Sequence, residues 1–111
     1  MQTVAETSIF QKRAVDLLSE DERVELLNFL AENPEAGDVI TDTGGVKKLR
    51  FSAKGRGKSG GVRVIYYFYD ETILIYALLI YGKNERADLT PSQRKNVAKL
   101  AAKLKAIAKR Q

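Results

Sequence analysis

Lys48 and Arg50 stand two residues apart in the stretch "VKKLRFSA". On a β-strand that spacing points both cations to one face, with Lys47, Leu49 and Phe51 on the other. Arg63 opens the next run, "VRVIYYFYD", and "IYGKNER" (80–86) closes the one after with Tyr81, Lys83 and Asn84. If these runs pair in chain order, Lys48, Arg50, Arg63, Tyr81, Lys83 and Asn84 converge on one sheet surface. Such a set suits a phosphodiester. Cleavage of RNA by its own 2′-OH needs a base, positive charge on the phosphorane oxygens and an acid for the leaving oxygen. Lysine and arginine supply the charge. Cations packed together also lower the pKa of a neighbouring Lys or Tyr, which fits one of them to act as the base. Tyrosines 66, 67, 69, 76 and 81 offer rings for stacking on unpaired bases, although alternation turns about half of them inward. The plainer reading of the same cations is a solvated basic face.

What the chain lacks narrows the chemistry further. It has no cysteine and no histidine among its 111 residues. Disulfides, thiolate metal sites, a Ser-His triad and most zinc sites are excluded, and no metal or other cofactor is expected. The net charge of +5 is unevenly spread. Residues 1–43 hold ten acids against three bases, a net −7, and residues 44–111 hold sixteen bases against four acids, a net +12. That asymmetry suits one face turned to a polyanion and another turned away. The first ten residues do not read as a signal peptide. The longest uncharged apolar stretch, "TILIYALLIYG", is too short to span a bilayer as a helix. The cytoplasm is therefore the expected compartment.

The segment "GRGKSG" (55–60) reads G-x-G-x-x-G and contains "GKS". Nucleotide motifs of this kind need a helix directly after the glycines, because the helix N-terminus holds the phosphate. Here a strand-like run follows, and a P-loop would need glycine where Ser52 stands. Both nucleotide readings fail on context. What remains is a hairpin loop. From Gly44 to Arg63 there are seven bases, no acid and six of the eight glycines. Lys47, Lys54, Arg56 and Lys58 are candidate contacts to RNA phosphate, and binding through them should weaken steeply with salt.

The elements that must position these residues follow from pattern. A short strand in "TVAETSIF" precedes a helix carrying Ile9, Phe10, Ala14, Leu17 and Leu18. Ser19 and Glu22 form a capping box for a second helix, whose apolar stripe reads Val24, Leu27, Leu30 and Ala31 and which Pro34 and Gly37 stop. "DTGG" is a turn. Three strands follow, and the unbroken apolarity of "ILIYALLIYG" implies a central strand covered on both faces. Thr90, Pro91 and Gln93 start a terminal helix with Val97, Leu100, Ala101, Leu104 and Ala108 on its apolar side. Lys95, Lys99 and Lys103 line another side, and Lys95 and Lys99 join the candidate RNA contacts. The expected architecture is α+β in the order (β)ααβββα. It is one domain over residues 1–111, with an N-terminal helical hairpin, a central antiparallel sheet and a C-terminal helix.

The segments "GGVKKLR", "GKSGGVRVIYYF" and "IYGKNE" carry a resemblance that spans roughly residues 30–97. They resemble the RelE/ParE superfamily of bacterial toxins, and within it the HigB-type toxins of type II toxin–antitoxin modules. The resemblance implies a RelE-like fold and metal-independent mRNA cleavage in the ribosomal A site. It also implies a cognate antitoxin, through whose complex operator DNA is reached only indirectly. Lys48 and Arg50 match the family's basic pair on the strand before the loop, and Arg63 its arginine on the next. Lys83 lies in the "GK" after the last strand. Asn84 occupies a place that is often arginine in RelE. RelE-like enzymes carry a tyrosine in the C-terminal segment, where this chain reads "ADLTPSQ". Tyr81 is the nearest substitute, and the general base is left unassigned. Two other functions fit the same features: a ParE-like gyrase poison, and a non-catalytic RNA- or ribosome-binding domain.

Overall fold

The computed structural model describes residues 2–52, 61–85 and 88–110. The chain runs β1 (Val4–Glu6), α1 (Ser8–Leu17), α2 (Glu20–Glu32), β2 (Asp38–Val39), β3 (Lys47–Phe51), β4 (Val62–Tyr67), β5 (Ile75–Gly82) and α3 (Pro91–Lys109). The five strands form one sheet in the order β1-β5-β4-β3-β2. β3, β4 and β5 pair antiparallel in chain order, as the sequence implies. The sheet as a whole is mixed, because β1 lies parallel to β5. The two-residue β2 adds an edge that the pattern does not announce. β5 is covered on both faces, but the centre of the sheet is β4, whose six residues are all buried.

α2 and α3 start at the capping boxes read from the sequence, and α1 at Thr7, a cap the sequence reading did not name. The hydroxyl of Thr7 accepts from the Phe10 N–H at 3.0 Å. Ser19 with Glu22, and Thr90 with Gln93, complete their capping boxes. Each such cap is worth about 1 kcal/mol. The apolar stripes are displaced from the simple reading in places. α2 buries Leu26, Leu30 and Ala31, while Val24 is 49% exposed. Ile9 on α1 also faces outward. The reason is where each helix sits: α1 meets β5, whereas α2 rests toward the β1 edge and needs a narrower apolar strip. Arg23 of α2 ties that edge down by donating from Nε and both of its bonds from Nη2 to the Glu6 carboxylate of β1, at 2.8–3.1 Å.

Two cores lie on opposite faces of the sheet. Phe10, Ala14, Leu17, Leu26 and Leu30 pack onto Leu49, Val62, Val64, Tyr66, Ile75, Ala77 and Ile80. Val97, Ala101, Leu104 and Ala108 of α3 cover Val46, Ile65, Tyr67, Leu78 and Tyr81 on the other face. β5 changes phase between these faces. Ile65 pairs with Leu79, but Tyr66 pairs with Ala77, so Leu78 is an extra residue. The bulge satisfies itself through the α1 cap: the Thr7 hydroxyl donates to the Leu78 carbonyl at 2.8 Å, and the Thr7 N–H to the Ala77 carbonyl at 3.1 Å. Leu78 and Leu79 then both face α3, and Tyr81 follows on that same face.

Burial gives the sheet an alkaline limit. Desolvation pushes the phenols of Tyr66 and Tyr67 above their ordinary range. For Tyr66 the Gly37 N–H, donated at 2.8 Å, partly opposes this, and nearby Asp38 and Glu35 add to it. For Tyr67 the neighbouring Tyr69 and Asp70 add to it. A phenol raised in the folded state holds its proton where the unfolded chain has lost it. Its contribution is complete below about pH 10 and is lost as pH rises through the folded-state value. Urea unfolding between about pH 8 and pH 11 should show stability falling with pH, and Tyr67→Phe should flatten the fall. Parallel curves for the two proteins would assign the loss elsewhere.

Candidate active site

The β3–β4–β5 register places the sequence-nominated residues in a row. Arg50 is the direct partner of Arg63, and Arg63 of Tyr81. The convergence expected from pairing in chain order is therefore present for these three. Lys48 lies one step further along the same face, opposite Ile65 on one side and Asp38 of β2 on the other. Without the bulge at Leu78 the alternation from Ile75 would send Tyr81 to the α1 side. With it, the phenol lies beneath α3.

Depth separates the members of the row. Arg50 is exposed and Lys48 half-buried. Arg63 is only 8% exposed, and its guanidinium bends back to donate to its own strand at the Val62 carbonyl, 3.4 Å away. Tyr81 is 4% exposed, within the core beneath α3. Tyr66 and Tyr67 are also interior, so the stacking surface suggested by the five tyrosines shrinks to the partly buried Tyr69 and Tyr76.

Lys83 and Asn84 are exposed on the turn beyond β5 rather than on the strand. The Lys83 N–H donates to the Gly61 carbonyl at 3.3 Å, which holds this turn at the end of the sheet where β4 begins. Glu85 fixes it further: its carboxylate accepts from the Gly82 N–H at 2.8 Å and pairs with Arg13 of α1. Lys47 points to the face of Leu49 and Phe51, opposite Lys48 and Arg50. Lys95 and Lys99 are exposed on α3. Lys54, Arg56 and Lys58, with the rest of the Gly-rich segment, lie outside the described residues.

An open groove of about 630 Å³ runs along the outer part of this face. Lys48, Arg50 and Arg94 line it, together with Asp38, Asp88 and the segment Val39, Ile40 and Thr41. Arg94 and Asp88 are additions that the sequence analysis did not nominate. Asp88 bridges the cations, with Lys48 Nζ at 3.9 Å and Arg94 Nη2 at 3.5 Å. Arg94 also donates to the Thr41 carbonyl at 3.5 Å. The available signal was the first turn of the terminal helix, "TPSQRK", where an arginine one turn past the cap projects back toward the sheet edge. Among the described residues no cluster of acidic, histidine or cysteine side chains could hold a metal ion, and no helix is long and apolar enough to cross a membrane. Chemically the groove can seat an anion with several acceptor oxygens: three cationic side chains from two elements, set in a concave surface.

Two helices on one face of a mixed sheet, one helix on the other and a groove of cations and carboxylates at its edge define a small α+β protein. The chain matches the model of the RelE toxin of the RelE/RelB toxin–antitoxin system over residues 6–111. It belongs to the RelE toxin family. A solved structure of the E. coli toxin RelE, an arginine-to-alanine double mutant in the free state, is similar with a TM-score of 0.56 at 18% identity. The likeness covers 87% of this chain and 93% of that one. At that identity it speaks for the fold, which is the RelE-like fold expected from the sequence segments.

Proposed function

We propose that this chain is the toxin of a type II toxin–antitoxin module, of the HigB branch, and that it cleaves mRNA on the ribosome without a metal. The observation that carries the reading is the Arg50–Arg63–Tyr81 row beside a groove lined by Lys48, Arg50 and Arg94, in a chain of the RelE family. Arg50 and Lys48 contact the scissile phosphate and stabilise the charge that grows on its oxygens during 2′-OH attack. Arg63, buried behind them, adds positive potential and fixes the strand from below. Lys83 and Asn84, on the turn at the end of the row, hold the flanking nucleotide. Lys47, Lys54, Arg56, Lys58, Lys95 and Lys99 grip ribosomal or messenger phosphates. The cytoplasm is the site of action. A cognate antitoxin covers the basic surface, and operator DNA is met only through that complex.

Inducing the protein alone and mapping mRNA 5′ ends by primer extension tests this. New ends should lie inside translated frames and vanish when initiation is blocked. Arrested translation with intact mRNA would make the protein a binding module, and trapped gyrase–DNA complexes with normal translation would make it a gyrase poison. Normal growth on induction with no neighbouring gene present would remove the antitoxin.

A further inference from the structure

We infer that the Asp88 carboxylate occupies the seat of a substrate phosphate, so that Lys48 and Arg94 form a phosphodiester site which the chain fills with its own anion until RNA displaces it. The inference rests on the mRNA-cleavage reading and adds to it two residues, Arg94 as a phosphate contact and Asp88 as the group that sets affinity.

Geometry carries it. The two carboxylate oxygens face different cations, Oδ1 toward Lys48 at 3.9 Å and Oδ2 toward Arg94 at 3.5 Å. Two cations from separate elements, β3 and α3, thus converge on one planar pair of oxygens. The non-bridging oxygens of a phosphodiester present the same charge and a similar span. Asp88 is about half exposed, its side chain at 53%, so RNA can reach the seat without any unfolding. Exposed pairs at such distances contribute little to stability and are readily exchanged. Asp88 has a second attachment, accepting from the Leu89 N–H at 2.9 Å, which keeps the carboxylate at the groove mouth. The other charged groups on the groove are Arg50 and Asp38. Asp38 is the strand partner of Lys48, but the structure gives its carboxylate no ion pair with a groove cation; Asp88 has two.

The consequence is a tuned affinity. A groove of bare cations would hold any RNA; one that must give up an internal anion discriminates against isolated phosphates and favours a strand that also engages Arg50. The test is anisotropy of a short labelled single-stranded RNA, 2′-O-methylated to prevent cleavage, from about 50 to about 200 mM salt. Asp88→Asn keeps the acceptor for Leu89 and should bind roughly three- to fivefold tighter at low salt. Asp16→Asn makes the same net-charge change on α1 and should bind as the wild type does. Arg94→Ala should weaken binding, and the gain from Asp88→Asn should disappear in its background. Equal affinities for Asp88→Asn and Asp16→Asn, or a gain that persists without Arg94, would overturn the exchange while leaving mRNA cleavage standing. Release of the RNA by inorganic phosphate at equimolar level would make this a free-phosphate seat and overturn the assignment to RNA. Absence of RNA binding by every form, wild type included, would overturn this site, whereas the cleavage it rests on stands or falls separately with the mapped mRNA 5′ ends.

Discussion

Arg50→Ala is expected to lower mRNA cleavage in a translation extract by about a hundredfold or more, the cost of removing one preorganised charge from a developing oxyanion. That corresponds to about 3 kcal/mol of transition-state stabilisation. The folded state should barely register the change. Arg50 is exposed, and substitutions at such positions usually stay within about 0.5 kcal/mol. Lys48→Ala should follow the same pattern, with an added small loss of the Asp88 pair. Arg63→Ala is the less clean experiment. Arg63 is almost wholly buried, so its removal leaves a cavity between β3 and β5 and mixes folding with function. Arg50→Lys separates charge from shape: it keeps the cation but loses the planar fork, and should recover only part of the rate. Primer extension measures all four, with thermal unfolding alongside. Wild-type cleavage by Arg50→Ala would move the chemistry off this face.

Gly61→Ala should be among the most damaging single-methyl changes in the chain. Gly61 has φ of +74°, and a Cβ there would lie 2.2 Å from the Phe51 carbonyl oxygen and 3.1 Å from the Ser52 Cα. Both neighbours are backbone, at and just past the end of the paired β3 strand, and cannot swing aside as a side chain could. The left-handed conformation alone costs about 1–2 kcal/mol for an L-residue, and the overlap adds about 1–3 kcal/mol. Gly44→Ala is the control. Its φ is +72°, yet its Cβ would meet nothing within 4 Å, so only the conformational part should appear. Urea unfolding of the two variants measures the difference directly. A Gly61→Ala protein no less stable than Gly44→Ala would mean that β3 and β4 can part at this point. The site would feel the same shift, because Gly61 closes the strand end from which Arg63 and Lys83 are held.

The separation of the two charge-bearing halves, the capping boxes of α2 and α3 and the antiparallel β3–β4–β5 unit were legible because each depends on local chemistry; the Thr7 cap of α1 was not read from the sequence. A capping box needs only two residues three apart. The spacing of Lys48 and Arg50 sets their shared face whatever surrounds them. The failure of "GRGKSG" as a nucleotide motif was also local, since the run that follows it is β-forming. The α2 stripe was less legible, because Val24 and Leu26 are equally apolar and only the seat of the helix on the β1 edge chooses between them.

By itself, then, the sequence determined which residues are cationic, which strands carry them and in what order those strands lie. It also determined that no thiol or imidazole takes part. Tertiary structure decided which of those cations reach solvent. An unbroken apolar run such as "ILIYALLI" has no phase of its own, and the bulge at Leu78, secured by the Thr7 hydroxyl, turned Tyr81 toward α3 and into the core. The docking of α3 brought Arg94 and Asp88 to Lys48, across forty residues of chain or more. Contacts at that separation arise from how two packed layers fit, a property of shape that spacing along one strand or one helix does not contain.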